Sequence, residues 1–152
     1  MRKQTKEDYI EAIFVLEKQD GRARTGKLAV RLGVKPPSIT EMLGKLKDEE
    51  LVNYQSYAGV TLTPKGMKLA KKCMHRHRLL AALFEMIGVE EEQAEVDAAQ
   101  VGHHISPATT AQLEKLLQFV QANPNDPPWI DCFRYYCETG ERVHCPGLKG
   151  KG

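Results

Sequence analysis

The chain has no run approaching the roughly eighteen consecutive apolar residues that a membrane-spanning helix needs, so a membrane protein of the helical kind is excluded. Its first residues, Met1-Arg2-Lys3-Gln4-Thr5-Lys6-Glu7-Asp8, show no apolar stretch behind the basic ones. A secretory signal is therefore not expected, and the cytoplasm is the expected compartment. No Ser-His-Asp arrangement, phosphate-binding loop or paired acid–base site stands out, so neither an enzyme nor a small-molecule substrate is expected. Internal repeats are absent. Cysteine is scarce, with four in 152 residues, but three of the four crowd into the tail at Cys132, Cys137 and Cys145.

What is present fits one domain with an appendage, or two small domains sharing a core. A hydrophobic share of 41% beside 28% charged residues is ordinary for a globular chain. The net charge of +2 names no partner, but its distribution is uneven. Residues 64–78 carry Lys65, Lys68, Lys71, Lys72, Arg76 and Arg78 with no acid, whereas residues 85–97 carry Glu85, Glu90, Glu91, Glu92, Glu95 and Asp97 with no base. Such a split can set a phosphate-facing surface against a cation-attracting one, or simply mark two solvated helix faces.

Thr5-Lys6-Glu7-Asp8 reads as a capping box, followed by an apolar face of Ile10, Ile13, Phe14 and Leu16 to about Lys18, broken at Asp20-Gly21. A second helix is expected from Thr25 to about Leu32, closed by Gly33. After the turn Val34-Lys35-Pro36, a third helix carries Pro37 in its first turn and buries Ile39, Met42, Leu43 and Leu46. Val52–Tyr54 and Val60–Leu62 read as a hairpin around a five-residue loop. Thr63-Pro64 opens a long helix to about Ile87. A further helix is expected from Glu90 to Ile105, and another from Ser106-Pro107 to about Gln121, stopped by the proline-rich segment 123–128.

Three short helices followed by a two-stranded wing form a recurrent DNA-binding plan, in which the third helix enters the major groove and the hairpin touches the neighbouring backbone. Ser38, Thr40, Glu41, Lys45 and Lys47 lie on the third helix's exposed side, with Pro37 in its first turn. Hydroxyls can reach base edges or phosphates, Glu41 can accept from a cytosine amino group, and Pro37 can meet a thymine methyl. Thr25, Lys35 and Tyr57 complete the candidate DNA contacts, and the lysines would give binding its salt dependence. The alternative is an interaction module whose winged domain contacts protein.

Glu7-Asp8-Tyr9-Ile10-Glu11, the helix-turn-helix, Leu62-Thr63-Pro64-Lys65-Gly66, Arg76-His77-Arg78-Leu79-Leu80, Ile87-Gly88-Val89 and His103-His104-Ile105-Ser106 occur in that order. Together, from about Thr5 to Phe119, they resemble the diphtheria-toxin-repressor family, and within it the manganese-transport-regulator branch. The resemblance implies a mainly α fold: a winged helix-turn-helix, residues 1–63, then a helical metal-binding and dimerisation domain, residues 64–123. Residues 124–152 would form a Cys-rich extension. It also implies a homodimeric, metal-dependent repressor acting on a double-stranded DNA operator. Of the branch's two-metal ligand set, Asp8, Glu11, His77 and His103 match, while Ala99 and Gly102 stand where two glutamates would be.

The residues bear on that site in their own right. Asp8 and Glu11, three apart, share a helix face, though Asp8 also belongs to the capping box. His77 falls in the apolar stripe Met67, Ala70, Met74, His77, Ala81 and Phe84, where a histidine is commonly a core residue. Two imidazoles and two carboxylates suit one divalent transition metal per subunit, Mn, Fe or Zn, and the two missing carboxylates argue against a second. Water, Glu95 or His104 can complete the shell, the preference can move to a softer metal, or the site can be vestigial. In the tail, Cys132, Cys137, His144 and Cys145 can close a zinc site, three cysteines can hold an iron–sulfur cluster, or the thiols carry nothing. Trp129, Phe133, Tyr135 and Tyr136 indicate a tail that docks. The expectation is a metal-dependent transcriptional repressor; a metal- or iron–sulfur-binding interaction protein is the alternative.

Overall fold

The computed structural model describes residues 5–123 and 128–144. Among these the elements are α1 (Lys6–Asp20), α2 (Thr25–Leu32), α3 (Pro36–Asp48), β1 (Val52–Gln55), β2 (Gly59–Leu62), α4 (Pro64–Met86), α5 (Glu91–Gly102), α6 (Pro107–Gln121) and α7 (Pro128–Thr139). The chain divides into two compact units, Met1–His75 and Arg76–Gly152, with the division inside α4. No helix among the described residues is long and apolar enough to cross a membrane.

In the first unit, α1 opens on the expected capping box. Thr5 Oγ1 accepts from the Asp8 backbone N–H, and Asp8 Oδ2 accepts from the Thr5 backbone N–H at 2.6 Å. Ile10 and Ile13 on α1 join Leu28, Ile39, Leu43 and Leu46 in one core, all fully buried, which fixes which faces of α2 and α3 look outward. Gly33 ends α2 at φ +62, a left-handed conformation that glycine enters at little cost. Pro36 then occupies the first position of α3, where the missing N–H has no helical partner to lose.

β1 and β2 pair antiparallel with Val52 opposite Leu62 and Gln55 opposite Gly59. The strands are each longer than alternation implied, so the loop shrinks from the expected five residues to Ser56-Tyr57-Ala58. Gly59, at φ +88, takes a pairing position instead of a loop position. The hairpin is tied to the α1–α2 connection, because Ala23 and Val60 exchange both backbone hydrogen bonds at 2.8 Å. Thr63 caps α4: its hydroxyl accepts from the Gly66 N–H at 3.0 Å and donates to the Glu50 carbonyl at 2.7 Å.

The second unit packs Leu80 and Ala81 of α4 against Ala98 of α5, with Phe84, Ile105 and Leu113 around them. α5 stops at Gly102, short of Ile105; His103 is its C-cap, and the following residues turn into the Ser106 cap of α6. Pro128–Thr139 forms α7, in which Ile130 is fully buried.

Candidate DNA-reading surface and metal centre

The face of α3 opposite Ile39, Leu43 and Leu46 carries the expected residues. Lys35, Pro36, Pro37, Ser38, Thr40, Glu41 and Lys45 are all exposed. Two are already engaged on the helix itself. The Thr40 hydroxyl donates back to the Pro36 carbonyl at 3.3 Å, and Lys45 Nζ meets Glu41 Oε1 at 2.7 Å. The hydrogen bond to Glu41, and then the charge of that carboxylate, hold the Lys45 ammonium above its ordinary pKa. Ser38 and Pro37 lead the helix, at the end where recognition helices meet base edges. Thr25, at the first turn of α2, is half-buried.

The wing presents Tyr57, fully exposed and at φ +71. For a bulky non-glycine residue that backbone is uncommon, and it holds the ring at the outermost point of the turn. Sequence reasoning missed the neighbours that hold this turn. Arg22 Nη1 donates to the Ala58 carbonyl at 2.9 Å, and Glu17 Oε2 accepts from the Leu62 N–H at 2.8 Å. Between the wing and the α1–α2 connection lies an open groove of about 650 Å³, lined in part by Arg22, Lys47, Asn53, Gln55 and Thr61. A smaller one of about 280 Å³ adds Arg24, Thr25 and Tyr57. The only local signal for this basic rim was the Arg22-Ala23-Arg24 run directly after the helix break.

Of the candidate metal ligands, Asp8 and Glu11 lie half-buried on α1 in the first unit. Asp8 Oδ2 also takes the Thr5 hydroxyl at 2.8 Å, so the cap fixes the carboxylate's direction. In the second unit His77 is half-buried on α4, and its Nε2–H donates to Glu95 Oε2 on α5 at 2.5 Å. His103 is half-buried at the end of α5. Gly102 is buried, and a Cβ there would meet the Arg76 Nε at 3.5 Å and a Leu80 methyl at 3.6 Å. Among the described residues no group of three or more His, Cys, Asp or Glu side chains comes together. The chemistry of the donors still fits a divalent transition ion. An imidazole nitrogen and a carboxylate oxygen converge in the second unit, and two carboxylates share a helix face in the first.

The tail does not support the second metal or cluster site. Cys132 and Cys137 sit five residues apart on α7, and at 3.6 residues per turn they leave the helix in directions about 140° apart. Two thiolates on one ion must approach within about 4 Å, which a rigid helix at that spacing does not allow. His144 lies beyond the helix, and Cys145 lies outside the described residues. Cys132 instead lines an aromatic hollow of about 400 Å³ with Trp129, Phe133, Tyr136, Arg142 and Val143. Cys73, on α4, is buried.

Over residues 1–60 the chain matches the family described as "Iron dependent repressor, N-terminal DNA binding domain". Over residues 63–131 it matches "Iron dependent repressor, metal binding and dimerisation domain". It is 40% identical over 119 residues to the HTH-type transcriptional regulator MntR of Lysinibacillus sphaericus, covering 78% of this chain and 86% of that protein. To the protein of that name in Bacillus subtilis it is 38% identical over 115 residues, covering 76% and 81%. Among solved structures it resembles the manganese regulator SloR, with a TM-score of 0.68 at 29% identity over 78% of this chain and 55% of that one. It also resembles ScaR with bound zinc, with a TM-score of 0.65 at 30% identity over 82% and 57%. The chain thus spans little more than half the length of those two structures.

Proposed function

The chain belongs to the iron-dependent repressor family of DNA-binding transcriptional regulators, and from that premise we infer that it is a cytoplasmic, homodimeric repressor of metal-homeostasis genes whose operator affinity is set by a divalent metal. The observation that carries this reading is the second helix pair. α2 and α3 bury one face each in the first unit's core, and α3 turns a polar leading edge outward beside a wing with a basic rim. Thr25, Lys35, Pro37, Ser38, Thr40, Glu41, Lys45 and Tyr57 are the proposed DNA contacts. Base edges would be read by the leading residues of α3, and phosphates by the lysines.

Asp8, Glu11, His77 and His103 are the proposed ligands of one Mn, Fe or Zn ion per subunit. Ala99 and Gly102 offer no donor side chain, and Gly102 backs onto the Arg76 guanidinium, a fixed positive charge unfavourable to a second cation. When bound, the ion supplies charge and geometry that favour the DNA-competent arrangement over others, and only its difference in affinity between the two counts. The chain is a regulator and not an enzyme, as its relatives are. A protein-interaction role for the winged domain has no comparable support, since both domain matches describe a repressor.

The test is elemental analysis followed by fluorescence anisotropy on upstream DNA, with and without Mn(II), Fe(II) or Zn(II). One equivalent of metal per chain and a metal-dependent, steeply salt-sensitive affinity are expected. Equal affinity with every metal and with chelator would refute the metal dependence; no specific site in a genomic selection would refute the repressor reading.

A further inference from the structure

We propose that Glu95 is a metal ligand, and that with His77 it forms a two-donor clip joining α4 to α5. The inference rests on the metal dependence proposed above and adds to it a residue outside that ligand set. Its basis is the meeting of His77 Nε2 and Glu95 Oε2 at 2.5 Å, made across two different helices of the second unit.

The position and chemistry of the pair allow a cation to take the place of this hydrogen bond. Position 95 lies on the face of α5 that also carries Ala99 and Gly102, at spacings of four and three. Ala99 has no donor side chain, and the volume beside Gly102 is taken by Arg76 and Leu80. Glu95 is therefore the carboxylate of this face that reaches His77. Two ligand atoms on one first-row ion, each about 2.1 Å from it, stand about 3 Å apart at a right angle. Opening the present pair by roughly half an ångström is within rotamer adjustment for a glutamate that is 53% exposed. The hydrogen between the two atoms then moves to Nδ1 or to solvent, leaving the Nε2 lone pair for the ion. An imidazole and a carboxylate suit Mn(II), Fe(II), Co(II) or Zn(II).

Co(II) is the probe, because its visible absorption reports the ligands directly, and the full chain is titrated with it in the absence of DNA. Glu95→Gln keeps length and shape and removes the charge; Glu92→Gln, exposed on the same helix, is the control. Weakening of Co(II) uptake tenfold or more in Glu95→Gln, with an altered absorption band, is expected, while Glu92→Gln stays within twofold. Glu95→Asp, which retains a carboxylate, should recover part of the loss with circular dichroism unchanged throughout. Wild-type affinity and spectrum in Glu95→Gln, with uptake abolished in His77→Ala, would overturn the role of Glu95 and leave the metal-dependent reading standing. Absence of Co(II) uptake by the wild-type chain would overturn both.

Discussion

Gly66 gives the sharpest test of the packing that holds the wing. It lies in the first turn of α4, buried, and a Cβ placed there would stand 2.0 Å from the Leu51 carbonyl oxygen and 3.2 Å from a Leu62 methyl. The same oxygen accepts the Thr63 N–H at 3.1 Å, so it cannot withdraw without loosening the joint between hairpin and helix. Gly66→Ala must open this joint by roughly 1 Å. Overpacking costs about 1–3 kcal/mol, and the strained hydrogen bond about 1 kcal/mol more. The better helix propensity of alanine returns about 1 kcal/mol, leaving a net loss of about 2 kcal/mol. Gly44 is the contrast, a mid-helix glycine on α3 with nothing within 4 Å of a Cβ. There the propensity gain stands alone, and Gly44→Ala should stabilise by about 0.5–1 kcal/mol. Urea denaturation at one protein concentration reads both, the concentration being fixed because association adds to apparent stability. Equal shifts of the two midpoints would refute the close approach at Gly66.

Three further outcomes follow from the same surface and core. Tyr9 is buried, and burial, then the charges of Glu41 and Asp8, raise its pKa above 10.0. The folded state thus holds the proton longer than the unfolded chain. Stability is full below pH 10, and the Tyr9 share is lost as pH climbs from there through the raised folded value. Tyr9→Phe should flatten that alkaline limb in pH-dependent melting, and an unchanged limb would assign it to other groups. Glu41→Gln removes a negative charge from the α3 face and releases Lys45 from its ion pair. Nonspecific DNA affinity should rise and the log–log salt slope steepen by about one unit; an unchanged slope would place Lys45 away from phosphate. Glu17→Ala leaves the half-buried Leu62 N–H without its acceptor. A cost of about 1–3 kcal/mol and faster exchange of that amide are expected, and an unaltered exchange rate would show that water replaces the carboxylate freely.

The features written in short stretches of sequence were readable there. The Thr5–Asp8 cap, the Gly33 turn, Pro37 in the first turn of α3 and the Thr63 cap each depend on residues within four positions of one another, although α3 begins one residue earlier than expected, at Pro36. The ties that place the wing do not: Arg22 reaches Ala58 and Glu17 reaches Leu62 across 36 and 45 residues, and no periodicity encodes such partners. α7 was hidden for a different reason. Its sequence carries helical spacing in Trp129, Ile130, Phe133 and Tyr136, but the prolines before it read as a stop and its cysteines as a ligand set. Pro128 is the first residue of the helix, a position where proline is tolerated, so the apparent stop is a start. The expectation for α5 overran to Ile105 because helical periodicity continues through Val101 and Ile105, whereas the helix ends at Gly102 with His103 as its cap.

α1 carries both the proposed ligands Asp8 and Glu11 and the tie to the wing, and this constrains how a cation bound as proposed would act on DNA binding. Asp8 and Glu11 lie in its first two turns and Glu17 in its last, where it holds β2. The connection that follows α1 pairs Ala23 with Val60 and sets Arg22 against the wing turn. A helix of 15 residues is a rod about 22 Å long, seated through Ile10 and Ile13 in the same core as Leu43 and Leu46 of α3. Packed interiors deform little, so a pull on the leading carboxylates moves wing and recognition helix as one piece. An ion therefore need not touch the DNA-reading surface to move it. It must only bind better in one position of the rod than in another, and a tenfold change in operator affinity asks for a difference of about 1.4 kcal/mol. The cap matters here, because Thr5 already fixes one oxygen of Asp8 by two hydrogen bonds. A carboxylate held in that way transmits force to the helix end instead of swinging to follow the ion.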